Sequence, residues 1–159
     1  MRATTLTLAA VLALGVASPA AAMNFTPKRA TIAAIGSMVL TSRRSVSCAV
    51  QLQLSAAHGR ASITSASFTG YQCATIRATD LPWRLSIGDG GFDGFHPITI
   101  HGFALQFVHG ATCGPGDIRA KLNPHGRIIF RDIGFPGTTP CSIDVSVSTT
   151  PHLGIEDEP

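Results

Sequence analysis

Three observations predict an all-β fold, an antiparallel β-sandwich of immunoglobulin-like or Greek-key type, with a closed barrel as the alternative. Apolar residues recur at every second position along several runs, the period of a strand with one buried face. Turn residues punctuate the chain at intervals of about 8–12 residues. Helix formers are scarce and β-branched residues plentiful, and helical periodicity is confined to the first residues. Sandwich and barrel bury antiparallel strands in the same alternating way, so strand pattern alone leaves both open.

Residues 1–22 have the form of a secretory signal peptide: Arg2, an apolar stretch from Leu6 to Ala17, Pro19, and a small-residue exit at Ala20-Ala21-Ala22. Cleavage after Ala22 would leave 137 of the 159 residues, divided into a single domain over 23–153 and an acidic disordered tail over 154–159. The apolar stretch is shorter than the about 20 residues that span a bilayer, and no later segment approaches that length. The expectation is a secreted or cell-surface protein with no integral membrane segment after cleavage.

The first strand covers residues 29–40. It lacks the lysines that usually blunt a sheet edge, so an exposed edge there would pair with other copies. From Val46 to Leu54 the even positions Val46, Cys48, Val50, Leu52 and Leu54 are apolar, while Ser47, Gln51 and Gln53 face away. Strands follow over 60–68 and 71–78. Trp83, Leu85 and Ile87 then alternate with Arg84 and Ser86, and the lone tryptophan belongs to the core. The run 97–108 changes phase at Gly102, from Ile98 and Ile100 to Phe103, Leu105 and Phe107, which predicts a β-bulge. Ile63 against Ala66 and Phe68 slips in the same way. Strands over 117–122 and 127–133 flank Asn123-Pro124-His125-Gly126, a hairpin turn. Cys141, Ile143, Val145 and Val147 alternate with Ser142, Asp144, Ser146 and Ser148 in the last strand.

Cys48, Cys73, Cys113 and Cys141 are even in number, which in an exported chain favours two disulfides. Three pairings are possible, and we favour Cys48–Cys73 with Cys113–Cys141 because each closes a local loop. Zinc would want paired ligands at short spacing, and no Cys-x-x-Cys is present.

Little else in the sequence announces chemistry. Residues 23–159 carry 11 Lys and Arg against 9 Asp and Glu, no basis for nucleic-acid binding, and 25 Ser and Thr outnumber the charges. Both glutamates, Glu156 and Glu158, lie in the tail. There is no Gly-x-Ser-x-Gly elbow, and Ser62, Ser65 and Ser67 have no local base. The aspartates are scattered rather than paired across a sugar site. His96, His101 and His109 share one strand region but not the i, i+2 spacing that puts ligands on one face. The segment Gly88-Asp89-Gly90-Gly91-Phe92-Asp93-Gly94-Phe95 resembles half of a calcium-binding turn, with too few oxygens in one copy. Its two rings have two readings, insertion into the core, the commoner outcome, or surface contact with an apolar partner. Catalytic, cofactor-binding and metal sites are therefore assigned to no residue. Phe92 and Phe95 stand as the candidate surface contact. Arg43-Arg44 and Lys28-Arg29 are read as solvated surface.

Phe68-Thr69-Gly70 followed by Cys73, then Leu81-Pro82-Trp83, with Cys48 upstream and Cys113 and Pro140-Cys141 downstream, resembles the alkane oxidation protein activator (PraB) family. The resemblance covers about residues 46–153, and its most specific piece runs from Cys73 to Trp83. It implies a small exported bacterial protein, non-enzymatic, linked to growth on n-alkanes and to the biofilm surface. No catalytic residue and no cofactor come with it; the cysteines and Trp83 carry over as structural positions. The expected function is an accessory protein at the cell surface or oil–water interface, with an n-alkane or other apolar surface as partner. The alternative is a structural or adhesive protein that binds itself or other surface proteins through strand edges, and a secreted hydrolase comes third.

Overall fold

The apolar face of an antiparallel sheet must be covered, and here the sheet covers it by closing on itself. The computed structural model describes residues 22–107, 110–137 and 141–157. Of the signal peptide, residues 1–21 lie outside the described residues, as does Pro140. The strands are β1 (Met23–Thr26), β2 (Arg29–Thr41), β3 (Ser45–Ala57), β4 (Arg60–Thr69), β5 (Arg77–Thr79), β6 (Trp83–Ile87), β7 (His96–Gln106), β8 (Thr112–Leu122), β9 (Arg127–Phe135), β10 (Cys141–Thr150) and β11 (Gly154–Asp157). Their order β7-β6-β4-β3-β2-β10-β9-β8 returns to β7 through a β7–β8 ladder, closing an eight-stranded antiparallel barrel. The all-β antiparallel expectation holds, and the closure is the barrel, the alternative to the sandwich. The β7–β8 pairing, from His96 opposite Leu122 to Gln106 opposite Thr112, makes the difference.

Alternation decides what fills the barrel. Cys48, Val50, Leu52, Leu54 and Ala56 of β3 are buried, as are Cys141, Ile143, Val145 and Val147 of β10. The intervening Ser47, Gln51, Gln53 and Ser55 are exposed. An apolar interior within a polar wall is the reverse of a membrane-spanning barrel, whose outer band is apolar. Among the described residues no helix is long and apolar enough to cross a membrane. Eight strands leave an interior just wide enough for side chains to fill. A void of about 10 Å³ lies among Met38, Trp83, Ile100, Phe103, Phe130 and Val145. Trp83 lies 4.5 Å from Phe103 with the rings tilted by 43°, and Phe103 meets Phe130 edge-on at 6.0 Å. The Trp83 indole N–H donates to the Thr79 carbonyl at 2.8 Å, so the buried ring leaves no polar atom unpaired.

Both slips of phase are bulges. The β7–β8 register shifts between Ile100 and Phe103, where Gly102 takes a φ of 72°. The β3–β4 register skips Thr64 between Ser65 and Ile63. A further shift on β8 accommodates Gly114 and Pro115 opposite Ala104, so that strand runs through a segment with loop composition.

Three expectations are corrected. Residues 71–78 are mostly turn, because Gly70 and Gln72 have positive φ and the Cys73 N–H returns to the Gly70 carbonyl at 3.1 Å; only β5 remains extended. The segment over 29–40 is no edge: β2 pairs with β3 on one side and β10 on the other. Residues 154–157 are no free tail: β11 pairs with β1 from Gly154 opposite Thr26 to Asp157 opposite Met23. Lys28 meets Glu156 at 3.3 Å beside this ribbon, and the ribbon tucks the buried Phe25 and Leu153 against one end of the barrel. At that end the Thr149 hydroxyl donates to the Gly126 carbonyl at 2.7 Å and accepts the Leu153 N–H at 2.8 Å.

Candidate functional site

With side chains filling the described interior, the candidate contact residues are those on the outside of the barrel. Among the described residues, the large apolar side chains exposed there are few: Tyr71 at 89%, Phe92 at 81%, Ile35 at 62% and Val39 at 41%. Phe92 is the one that the sequence singles out, and local chemistry explains its exposure. Asp93 and Gly94 have φ of 52° and 74°, the left-handed pair of a type I′ turn. Phe92 and Phe95 exchange both backbone hydrogen bonds at 3.0 Å. The segment 88–95 thus ends in a two-residue hairpin with an aromatic at each foot.

The two rings part company. Phe92 projects into solvent, whereas Phe95 is half-buried beside Pro97. Insertion of both into the core is therefore corrected: the barrel end is already filled by Phe25 and Leu153, and the tight turn holds the rings outside. Phe92, Phe95, Pro97 and Lys121 line one shallow groove of about 360 Å³. The Phe92 ring thus sits on a short, hydrogen-bonded support, which limits the entropy that a contact through it would cost.

Asp93 serves the turn, and among the described residues no three His, Cys, Asp or Glu side chains come together. The disulfides are Cys48–Cys73 and Cys113–Cys141, the favoured pairing. They lie toward the barrel end opposite Phe92, where Tyr71 and the turn over 70–76 are tied to β3. Tyr71 went unnoticed in the sequence because the run 71–78 read as strand.

One constellation escapes any search for local motifs. His101 Nδ1 lies 2.8 Å from Asp117 Oδ2, and His101 Nε2 lies 2.7 Å from Ser86 Oγ. The three residues stand on β6, β7 and β8, joined across the outer wall. A carboxylate only accepts, so Nδ1–H donates to it, and in the neutral ring Nε2 accepts from the Ser86 hydroxyl. Acyl transfer needs this arrangement plus N–H donors converging on the developing oxyanion. The nearby Gly102 N–H is instead given to Asp117 Oδ1 at 3.1 Å. The hydrogen bonds from His101 and then Gly102 hold the Asp117 carboxyl below its ordinary value of 3.8. The row ties three strands together across the Gly102 bulge.

Residues 1–156 match the family model described as alkane oxidation protein activator PraA/PraB-like. No curated protein and no solved structure matches the chain.

Proposed function

The chain belongs to the alkane oxidation protein activator PraA/PraB-like family, and from that premise we propose that it is an exported accessory protein without catalytic activity of its own. It acts at the cell surface or the oil–water interface and promotes hydrocarbon use by adsorbing there. Two disulfides fit an extracellular protein. The observation that carries the reading is Phe92, displayed at 81% exposure on a hydrogen-bonded turn beside Phe95 and Pro97. Apolar surface moved from water into oil gains roughly 25 cal/mol per Å², so a few such groups give measurable adsorption. The filled interior speaks against a carrier that encloses its alkane.

The test is interfacial tension at a hexadecane–water boundary, with an inert β-protein of similar size as control. The protein lowers the tension well beyond the control, and Phe92→Ser removes much of the difference. Equal behaviour of protein and control would end the adsorption mechanism.

A second reading, assembly of copies into a surface or biofilm layer, draws on Ile35 and Val39, which stand exposed on the outer face of β2. Since both edges of β2 are paired, such assembly would join faces. Light scattering against concentration separates the two readings.

A further inference from the structure

The barrel end opposite Phe92 carries a groove of about 620 Å³, within the roughly 300–1,000 Å³ typical of small-molecule sites. Three connections far apart in sequence build it: the β2–β3 tip, the disulfide-tied turn before β5, and the exit from β7. Its floor is apolar, with Leu40 and Ile76 buried and Val46 and Phe107 half-buried. Its rim carries Arg43 and Arg44, both exposed. Among the described residues, no aspartate or glutamate lines it. Neither arginine has an ion-pair partner among the described residues.

A neutral alkane would use the floor and leave the two exposed guanidinium groups of the rim without a part in binding. An inorganic anion would use the rim and ignore the floor. The combination suits a molecule with an alkyl chain and one anionic head. Planar guanidinium groups take up carboxylates through paired, charge-assisted hydrogen bonds.

We propose that this groove binds a single long-chain carboxylate, its tail along Leu40, Val46, Ile76 and Phe107 and its head on Arg43 and Arg44. An alkyl carboxylate is also the chemical class that complete oxidation of one end of an alkane produces. The assignment rests on the groove's own lining and is independent of adsorption through Phe92.

Calorimetric titration of the disulfide-bonded protein with dodecanoate, below its micellisation threshold, tests this. Dodecanol serves as the neutral partner of equal chain length, and Arg43→Gln with Arg44→Gln as the variant. Saturable binding near one per chain is expected, about tenfold tighter than for dodecanol and weakened about tenfold in the double variant. Both arginines are exposed, so the variant retains the fold, and an unchanged thermal transition verifies it. Equal affinity for acid and alcohol, no loss in the double variant, or binding seen only to micelles or anionic vesicles would each overturn the assignment. The double variant still lowers hexadecane–water tension as the wild type does, while Phe92→Ser loses much of that effect, which keeps the two sites distinguishable.

Discussion

The backbone N–H of Phe92 donates to the Phe95 carbonyl and the N–H of Phe95 donates to the Phe92 carbonyl, both at 3.0 Å. This exchange holds one ring out in solvent and the other against the barrel, with only Asp93 and Gly94 between them. Gly94 needs its positive φ of 74°, which a β-branched residue rarely adopts. Gly94→Val is expected to spoil the turn and reduce adsorption to oil, although no apolar atom has been removed. Because the turn lies outside the packed core, the urea midpoint should move little. A Gly94→Val protein that adsorbs like wild type would show that ring presentation is irrelevant.

Thr149 is the buried polar side chain that joins the barrel to its end ribbon. Thr149→Val keeps the shape but removes the acceptor for the Leu153 N–H, while the Gly126 carbonyl retains the Thr149 N–H at 3.0 Å. Orphaning a buried donor costs about 1–3 kcal/mol. Urea unfolding should show a loss of that size with an unchanged slope, and Thr149→Ser should recover most of it.

Gly36 faces inward on β2, where an added Cβ would collide with the backbone of Ser146 and Val147 on β10. Backbone cannot swing aside as a flexible side chain can. Gly36→Ala is expected to destabilise by about 1–3 kcal/mol, the usual range for overpacking. A thermal midpoint equal to wild type would mean that β2 and β10 separate more easily than their ladder implies.

What the sequence disclosed follows from how each feature is encoded. Alternation along Val46–Leu54 and Cys141–Val147 reports burial directly, so β3 and β10 were legible, and the phase changes at Gly102 and near Thr64 located their bulges. Closure was not legible, because the β7–β8 ladder leaves the same alternation in a barrel as in a sandwich. The strands β1 and β11 have four residues each, too few for a period, and their burial comes from the barrel end rather than from their own pattern. Phe92 and Phe95 could be nominated from composition, but only the positive φ of Asp93 separates their environments. The arginine-rimmed groove and the Ser86–His101–Asp117 row draw on three segments apiece, and no one-dimensional spacing encodes either.

The Asp117 carboxyl is held below 3.8, first by the hydrogen bond with His101 and then by that from the Gly102 N–H. A group whose folded value is depressed contributes stability that is fully present above its unfolded value. That contribution is lost as pH falls through the lower folded value. Stability should therefore decline on acidification below about pH 4, with part of the decline belonging to Asp117. Asp117→Asn is expected to flatten that part of the curve and to lower stability slightly at neutral pH, the residue being exposed. Urea midpoints from pH 2 to pH 7 measure both effects. The same protein distinguishes a structural row from a catalytic one. With the Gly102 N–H committed to Asp117, Ser86 lacks that donor for an oxyanion, and hydrolysis of a p-nitrophenyl ester should be unaffected by Ser86→Ala. A turnover that vanishes in Ser86→Ala and falls in Asp117→Asn would instead make this row a hydrolytic site.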